Sequence, residues 1–283
     1  MVSGSLRPDG SNGREFRILN TAGDLVAHGY DAVYTALPGG PTLRSIWREH
    51  AAGLDYPDSF YHISFLSATE MARMSDQLRL KAGHTLLDLG CGMAGPSLWI
   101  AQATDARLVG IDLSQVAIGQ AASRAASLGL SDAACFQTGS FAKTGLEDSF
   151  CHAAMSVDAL QYAPDKRAAF AEIARVLRRG SRFAFTAFEY EPSRAIGLPI
   201  AGEDPVPDYT PLLVETGFSV EAYDETPGSR KRLEAAYGAI SSERDRLREE
   251  MGHEAVTALL TEVELTLLRE PYRRRIFAVA RRH

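Results

Sequence analysis

The sequence predicts an α/β fold: a doubly wound seven-stranded sheet, mostly parallel, with its last strand antiparallel. Three observations point to it. From Thr85 to Phe188, short apolar runs alternate with amphipathic helical stretches, the pattern of successive βαβ units. The first apolar run ends in a glycine-rich turn that opens a helix. A helical excursion of roughly forty residues then separates the last two strands, well beyond an ordinary connection.

The elements follow in order. Residues 1–17 are polar and lack the apolar stretch of a secretory signal, so they read as a disordered leader. Residues 18–80 form an N-terminal helical cap. There Leu37-Pro38-Gly39-Gly40-Pro41 breaks the chain, Thr42 is placed to cap a helix over Leu43 to Ala52, and Ser67 or Thr69 caps one ending at Leu78. Residues 81–228 form the core. Its strands are Thr85–Leu89, Arg107–Ile111, Ala134–Thr138, Phe150–Val157 and Arg182–Phe188. Helices span Pro96–Thr104, Gln115–Leu128 and Pro164–Leu177, the last with Phe170, Ile173, Ala174 and Leu177 on one face and Gly180 as its stop. A loop with Pro192, Pro199, Pro205 and Pro207 precedes a short helix, Thr210–Thr216, and a sixth strand, Gly217–Asp224. Residues 229–270 are a helical lid that breaks near Gly252, and residues 271–283 hold the final strand, Arg275–Ala280.

Composition narrows the function. The chain has 283 residues, 45% hydrophobic and 23% charged, an ordinary globular balance. No run reaches the roughly 18 apolar residues of a membrane helix, so neither a membrane partner nor a non-cytoplasmic location is expected. A net charge of −6 argues against nucleic acid. Three cysteines and seven histidines without ligand spacing predict reduced thiols and no metal.

The most informative stretch is Leu86-Leu87-Asp88-Leu89-Gly90-Cys91-Gly92-Met93-Ala94-Gly95. Gly90 and Gly92 let a ligand approach the backbone, and the following helix offers free N–H groups and a positive dipole end. Some twenty residues on, Val109-Gly110-Ile111-Asp112 ends the second strand with a carboxylate placed to accept ribose hydroxyls. A nicotinamide dinucleotide also suits glycines followed by an acid. Against it stand Asp88 inside the strand end, the position of the loop near residue 90, and the lack of a Tyr-x-x-x-Lys pair.

Together with Gly110-Ile111-Asp112-Leu113-Ser114 and Ala171 to Gly180, this stretch resembles the successive motifs of class I S-adenosylmethionine-dependent methyltransferases, with a Rossmann-like core. The resemblance runs from about Tyr30 to Arg281. Among these it is most similar to bacterial natural-product methyltransferases, with His62-Ile63-Ser64-Phe65 in place of an H-x-G-Y-like element. The resemblance implies S-adenosylmethionine as cofactor and roles position by position. Gly90 and Gly92 approach its methionine and ribose, Asp88 orients its ammonium, Asp112 holds its ribose and Leu113 flanks its adenine. Gly139-Ser140-Phe141 also lies at the adenine, with Ser140 replacing a common Asp. Cys91 packs within the loop, and Val157 and Asp158 face the sulfonium end.

Sugar O-methyltransferases of this type often carry a His pair where this chain has Gln161-Tyr162, which weakens the case for base-assisted sugar methylation. The remaining candidate catalytic groups are His62, Asp158, Tyr162 and Tyr30. Tyr34, Trp47, Gln161, Phe188 and Tyr237 are candidates for the acceptor pocket. The expected acceptor is a small hydrophobic or aromatic metabolite, with carbon methylation of an electron-rich ring such as indole C3 favoured over phenol, sugar or amine. A methyltransferase-fold cyclase or binding protein is the other class. A homodimer stays open. Arg273-Arg274-Arg275 reads as an edge or surface cluster, and Glu243 to Glu250 as a solvated helix face.

Overall fold

The computed structural model describes residues 22–191 and 205–283; the proposed leader, Pro192 and Pro199 lie outside them. The sheet contains β1 (Thr85–Leu89), β2 (Arg107–Asp112), β3 (Ala134–Thr138), β4 (Cys151–Val157), β5 (Leu177–Tyr190), β6 (Phe218–Glu225) and β7 (Arg273–Arg282). Their order is β3-β2-β1-β4-β5-β7-β6. Strands β1 to β5 pair in parallel, and β7 runs antiparallel between β5 and β6. The chain builds outward from β1 in one direction, then restarts with β4 on its other side. That reversal leaves a crevice at the carboxyl ends of β1 and β4, where doubly wound sheets bind ligands. Asp88 and Gly90 stand on one side of it, Val157 and Asp158 on the other.

The helices around the core are α3 (Ala68–Leu78), α4 (Gly95–Thr104), α5 (Gln115–Ser127), α6 (Lys166–Val176) and α7 (Thr210–Glu215). Ser67 caps α3 in a reciprocal box with Glu70, which satisfies two otherwise orphaned N–H groups. Ser114 and Asp165 cap α5 and α6 in the same single-bond manner. Helix α6 stops at Val176 because Leu177 already adopts the extended backbone of β5. Gly180, at φ 81°, lies inside that strand and is not the helix stop expected of it.

The cap contains α1 (Ala22–Ala36) and α2 (Pro41–Ile46). Helix α2 continues as a wider π-type turn, Trp47–Ala52, so the expected regular helix over residues 43–52 is split. Thr42 does not cap it. Its Oγ1 and N–H instead donate to Glu250, at 2.6 and 3.0 Å. The lid consists of α8 (Ser229–Ser242), α9 (Arg244–Met251) and α10 (His253–Arg269), with a second break at Glu243 besides that at Gly252. Cap and lid share a core of their own, in which Val33, Leu37, Leu43 and Trp47 meet Leu233, Tyr237, Leu247 and Val256. Each such side chain withdrawn from water contributes about 1.5–3 kcal/mol. The two segments therefore form one roof over the crevice, although some 200 residues separate them. No helix among the described residues is long and apolar enough to cross a membrane.

Candidate active site

A cavity of about 720 Å³ lies between the crevice and the roof, and every site residue singled out from the sequence lines it. Its volume falls within the roughly 300–1,000 Å³ of small-molecule sites. One half is backbone-rich. The loop after β1 is pinned to β2 by the Gly90 and Cys91 N–H groups, which donate to the Ile111 carbonyl at 2.8 and 3.1 Å. Gly92 has φ 50°, and a Cβ there would lie 2.7 Å from the Tyr34 hydroxyl. A Cβ on Gly90 would lie 2.5 Å from that of Ala159. Neither position accepts a side chain, and the exposed backbone is what a closely held ligand needs.

Asp112 organises the same half. Its Oδ2 accepts from the Gly92 N–H at 2.8 Å and its Oδ1 from the Ser114 N–H at 2.9 Å. Leu113 is an apolar side chain left 46% exposed beside it. The Gly139 N–H donates to the Asp112 carbonyl, and Ser140 bridges back to Lys143. The Phe141 ring packs against Gly90. Cys91 is buried, and burial pushes its thiol well up, so it is a packing group in the loop. Asp88 is buried without an ion pair among the described residues, and burial raises its carboxyl to about 7.

The other half is aromatic. Trp47 and Phe65 lie 5.4 Å apart, Phe65 and Tyr237 5.6 Å, and the indole N–H of Trp47 donates to the Ser64 carbonyl at 2.7 Å. Phe188 lies beneath the Arg273 guanidinium, 3.9 Å from ring centre to Cζ. Tyr30 stacks on Tyr34 at 5.9 Å and meets Tyr162 edge-on. The hydroxyls of Tyr30 and Tyr162 are 2.7 Å apart, and they donate to Glu262 Oε1 at 3.2 and 3.3 Å.

These contacts reassign several candidate bases. Burial lowers the pKa of His62 to about 3, and its Nδ1 accepts from the Ser64 N–H at 3.1 Å. The ring is therefore neutral with its proton on Nε2. That atom makes no hydrogen bond of normal geometry, only a weak polar approach to the Leu66 carbonyl. Burial and the Ser64 contact hold His62 as a neutral ring in the cavity wall. Asp158 has both oxygens taken, by the Arg275 guanidinium, the Phe65 N–H and the Thr186 hydroxyl. Burial alone would raise its carboxyl, but Arg275 more than offsets this and holds it below the usual range. It is an anchor, not a free base. Burial and the Glu262 charge keep the Tyr30 and Tyr162 phenols protonated, so both act as donors. Gln161 donates to the Asp158 carbonyl oxygen, and its own amide oxygen has no partner among the described residues.

Residues 87–185 match a family model described as a methyltransferase domain. The chain carries a class I S-adenosylmethionine-dependent methyltransferase domain. One relative, 27-O-demethylrifamycin SV methyltransferase of Amycolatopsis mediterranei, is 25% identical over 211 residues, covering 71% of this chain and 75% of its own length. Another, sterol 24-C-methyltransferase ERG6B of Gibberella zeae, is 33% identical over 110 residues, 39% of this chain and only 29% of the relative. Among solved structures, the [4+2]-cyclase SpnF has the same fold, with a TM-score of 0.72 at 20% identity over 93% of this chain and 96% of its own.

The residues of this methyltransferase fit S-adenosylmethionine. Asp88 is a buried carboxylate lacking a cation, Asp112 keeps lone pairs open beside the cradle, and the two glycines leave backbone exposed. A pH dependence follows. With the cofactor ammonium at Asp88, as the family resemblance implies, binding would favour the ionised carboxyl, and affinity should rise as pH climbs through about 7. It should fall again only at the higher pH where the ligand's own amino group loses its proton. Calorimetric titration of S-adenosylhomocysteine across this range should show the rising limb, and Asp88→Asn should abolish that limb alone.

Two groups were not legible as site residues. Glu262 sits in a helical stripe with Ala255, Leu259, Thr266 and Arg269, a carboxylate interrupting a buried face. That interruption was the available signal. Arg275 is buried, as is Arg273, whereas Arg274 between them faces outward to Glu189. The triple-arginine run lies in a strand interior to the sheet, so the edge-or-surface reading is wrong for two of the three residues. The signal missed was the period of two along a strand.

Proposed function

We propose that this methyltransferase methylates an apolar, ring-bearing small molecule of natural-product or sterol type. The observation that carries the reading is the aromatic chamber formed by Trp47, Phe65, Phe188 and Tyr237, continuous with the glycine cradle. Bound S-adenosylmethionine supplies an electrophilic methyl group. The chain's contribution is position and a dry setting. Aromatic walls hold a ring, and the Asp158–Arg275 anchor fixes the loop at the end of β4 where acceptor and cofactor halves meet. Alignment of this kind supplies on the order of 7–11 kcal/mol of a transfer barrier. An electron-rich ring such as an indole, methylated at C3, suits these walls better than a sugar. The relatives named for O- and C-methylation bracket the same chemistry in apolar acceptors.

The test is to incubate the protein with S-adenosylmethionine and separate panels of indoles, phenols, sterols and sugars. Release of S-adenosylhomocysteine should appear with indoles or other ring-bearing apolar acceptors and not with sugars. Cofactor binding with no release from any panel would sink the reading and favour a cyclase or binding protein on the same fold.

A further inference from the structure

Glu262 is the feature of the chamber that the cofactor half and the aromatic walls leave unexplained. It belongs to α10, and the two tyrosine hydroxyls that reach it come from α1 and from the turn after β4, 232 and 100 residues away in sequence. Both bond to Oε1. Glu262 lines the same chamber, and its Oε2 makes no hydrogen bond or ion pair among the described residues. Glu262 is half-buried, and a carboxylate oxygen partly withdrawn from water gains most when a donor reaches it. Tyr30 and Tyr162 are not that donor at Oε2: each hydroxyl has a single proton, and their contacts are with each other and with Oε1. Both contact Oε1, which leaves Oε2 as the oxygen open to a further donor.

The titratable groups around it come from five elements. Burial raises the Glu262 carboxyl above its ordinary value, and the hydrogen bonds from Tyr30 and Tyr162, with Arg273 on β7 and Arg269 on α10, oppose this without cancelling it; Tyr30 and Tyr34 on α1, Tyr162, and Tyr237 on α8 face it as phenols. Arg273 is paired with Glu270, and Arg269 makes no hydrogen bond or ion pair among the described residues. Neither forms a salt bridge to Glu262, so its charge is supported from a distance and its second oxygen stays available.

We propose that Glu262, oriented by Tyr30 and Tyr162, accepts the ring N–H or hydroxyl of the methyl acceptor and takes its proton as the methyl group arrives. The inference rests on the chamber being the acceptor site. The acceptor class it selects is a ring whose nucleophilic atom is conjugated to an N–H, or is itself a phenolic or similar O–H. The step balances. The methyl–sulfur bond breaks with its electron pair left on sulfur, and the acceptor's pair forms the new bond to carbon. The N–H or O–H bond gives its electrons to the acceptor, and the proton goes to Glu262 Oε2. Positive sulfur and negative carboxylate both end neutral. A neutral acceptor thus leaves as a neutral product.

Two probes isolate the contact. 3-Methylindole carries the ring N–H, and 1,3-dimethylindole lacks it at nearly equal apolar surface. With S-adenosylhomocysteine present, the wild-type protein should bind the first at least about tenfold more tightly, as for a hydrogen bond to a charged group. Glu262→Leu should erase the preference. Glu262→Gln keeps an oxygen acceptor but no base, so it should retain part of the preference. Turnover of 3-methylindole by Glu262→Gln should fall at least about a hundredfold, with the acidic limb of the pH profile gone. Equal affinity for the two probes, binding of neither, or undiminished turnover by Glu262→Gln overturns the proposal. S-adenosylhomocysteine titrated alone should bind both variants within about twofold of wild type. Loss of that binding in the wild-type protein would count against the methyltransferase reading itself, and so separates the two failures.

Discussion

Replacing Arg275 by methionine should destabilise the fold by about 3–5 kcal/mol, the usual penalty for removing one partner of a buried ion pair. Its side chain is 1% exposed and engages two carboxylates, Asp158 at 2.7 Å and Glu70 at 2.7 Å. Glu70 in turn closes the α3 capping box and pairs with Arg232 of α8. One guanidinium thus ties β7, α3 and the turn after β4 to one another, with the lid attached through Glu70. Without it, two buried carboxylates face each other with no cation of equal reach. At roughly 2–4 °C per kcal/mol for a chain near this size, the midpoint of thermal unfolding should fall by about 6–20 °C. Adding Asp158→Asn and Glu70→Gln should restore part of the loss, because the stranded charges are then removed. Thermal melts of the single and combined variants measure that coupling. An Arg275→Met protein melting like the wild type would show that the network contributes nothing net. The pH sign follows from Asp158, whose carboxyl is held below its usual range. Its stabilising share is present above about pH 4 and is lost as pH falls through the depressed value.

What the sequence disclosed divides along the same line. Each strand of the sheet was visible because a short apolar run between turn residues carries its own signal. The cofactor half was visible because its parts are contiguous: Asp88 to Gly95 form one loop, and Asp112 ends the next strand. The acceptor half is assembled from distant pieces. Nothing near Tyr30 announces Glu262, and nothing near Asp158 announces Arg275, 117 residues away. A charged residue in isolation reads as exposed, since only its partner makes burial tolerable. That is why His62 and Asp158 stood as candidate catalytic groups and Arg275 read as edge or surface. The folded molecule shows His62 neutral against Ser64, and Asp158 neutralised by the very arginine assigned to the outside. The β5 start at Leu177 was hidden for another reason. Arg178, Arg179 and Gly180 carry no apolar alternation, and pairing with β4 imposes the strand there in place of local preference.

Asp112→Ala should weaken S-adenosylhomocysteine binding at least about a hundredfold while leaving the fold intact. Both carboxylate oxygens already accept one backbone N–H each, from Gly92 and Ser114, and each has a further lone pair toward the cavity. Two ribose hydroxyls donating there would make two charge-assisted bonds, each of about 1.5–3 kcal/mol. The sum, converted at about 1.4 kcal/mol per tenfold, sets the expected loss. Part of it comes through the backbone, because the Gly92 N–H loses the partner that holds the cradle in shape. Asp112→Asn separates the two contributions. Its amide oxygen can keep one backbone bond, but its NH₂ cannot accept, so its affinity should fall between those of wild type and Asp112→Ala. Calorimetry near pH 8, above the titration of Asp88, keeps the ammonium contact constant across the series. The Glu262 variants, altered on the lid helix α10, should bind the same ligand within about twofold of wild type. A wild-type-like Asp112→Ala would mean that the ribose is held elsewhere and that Asp112 serves only to pin the glycine loop. The hundredfold loss in that variant alone would separate the cradle from the aromatic chamber as two independently built halves of one site.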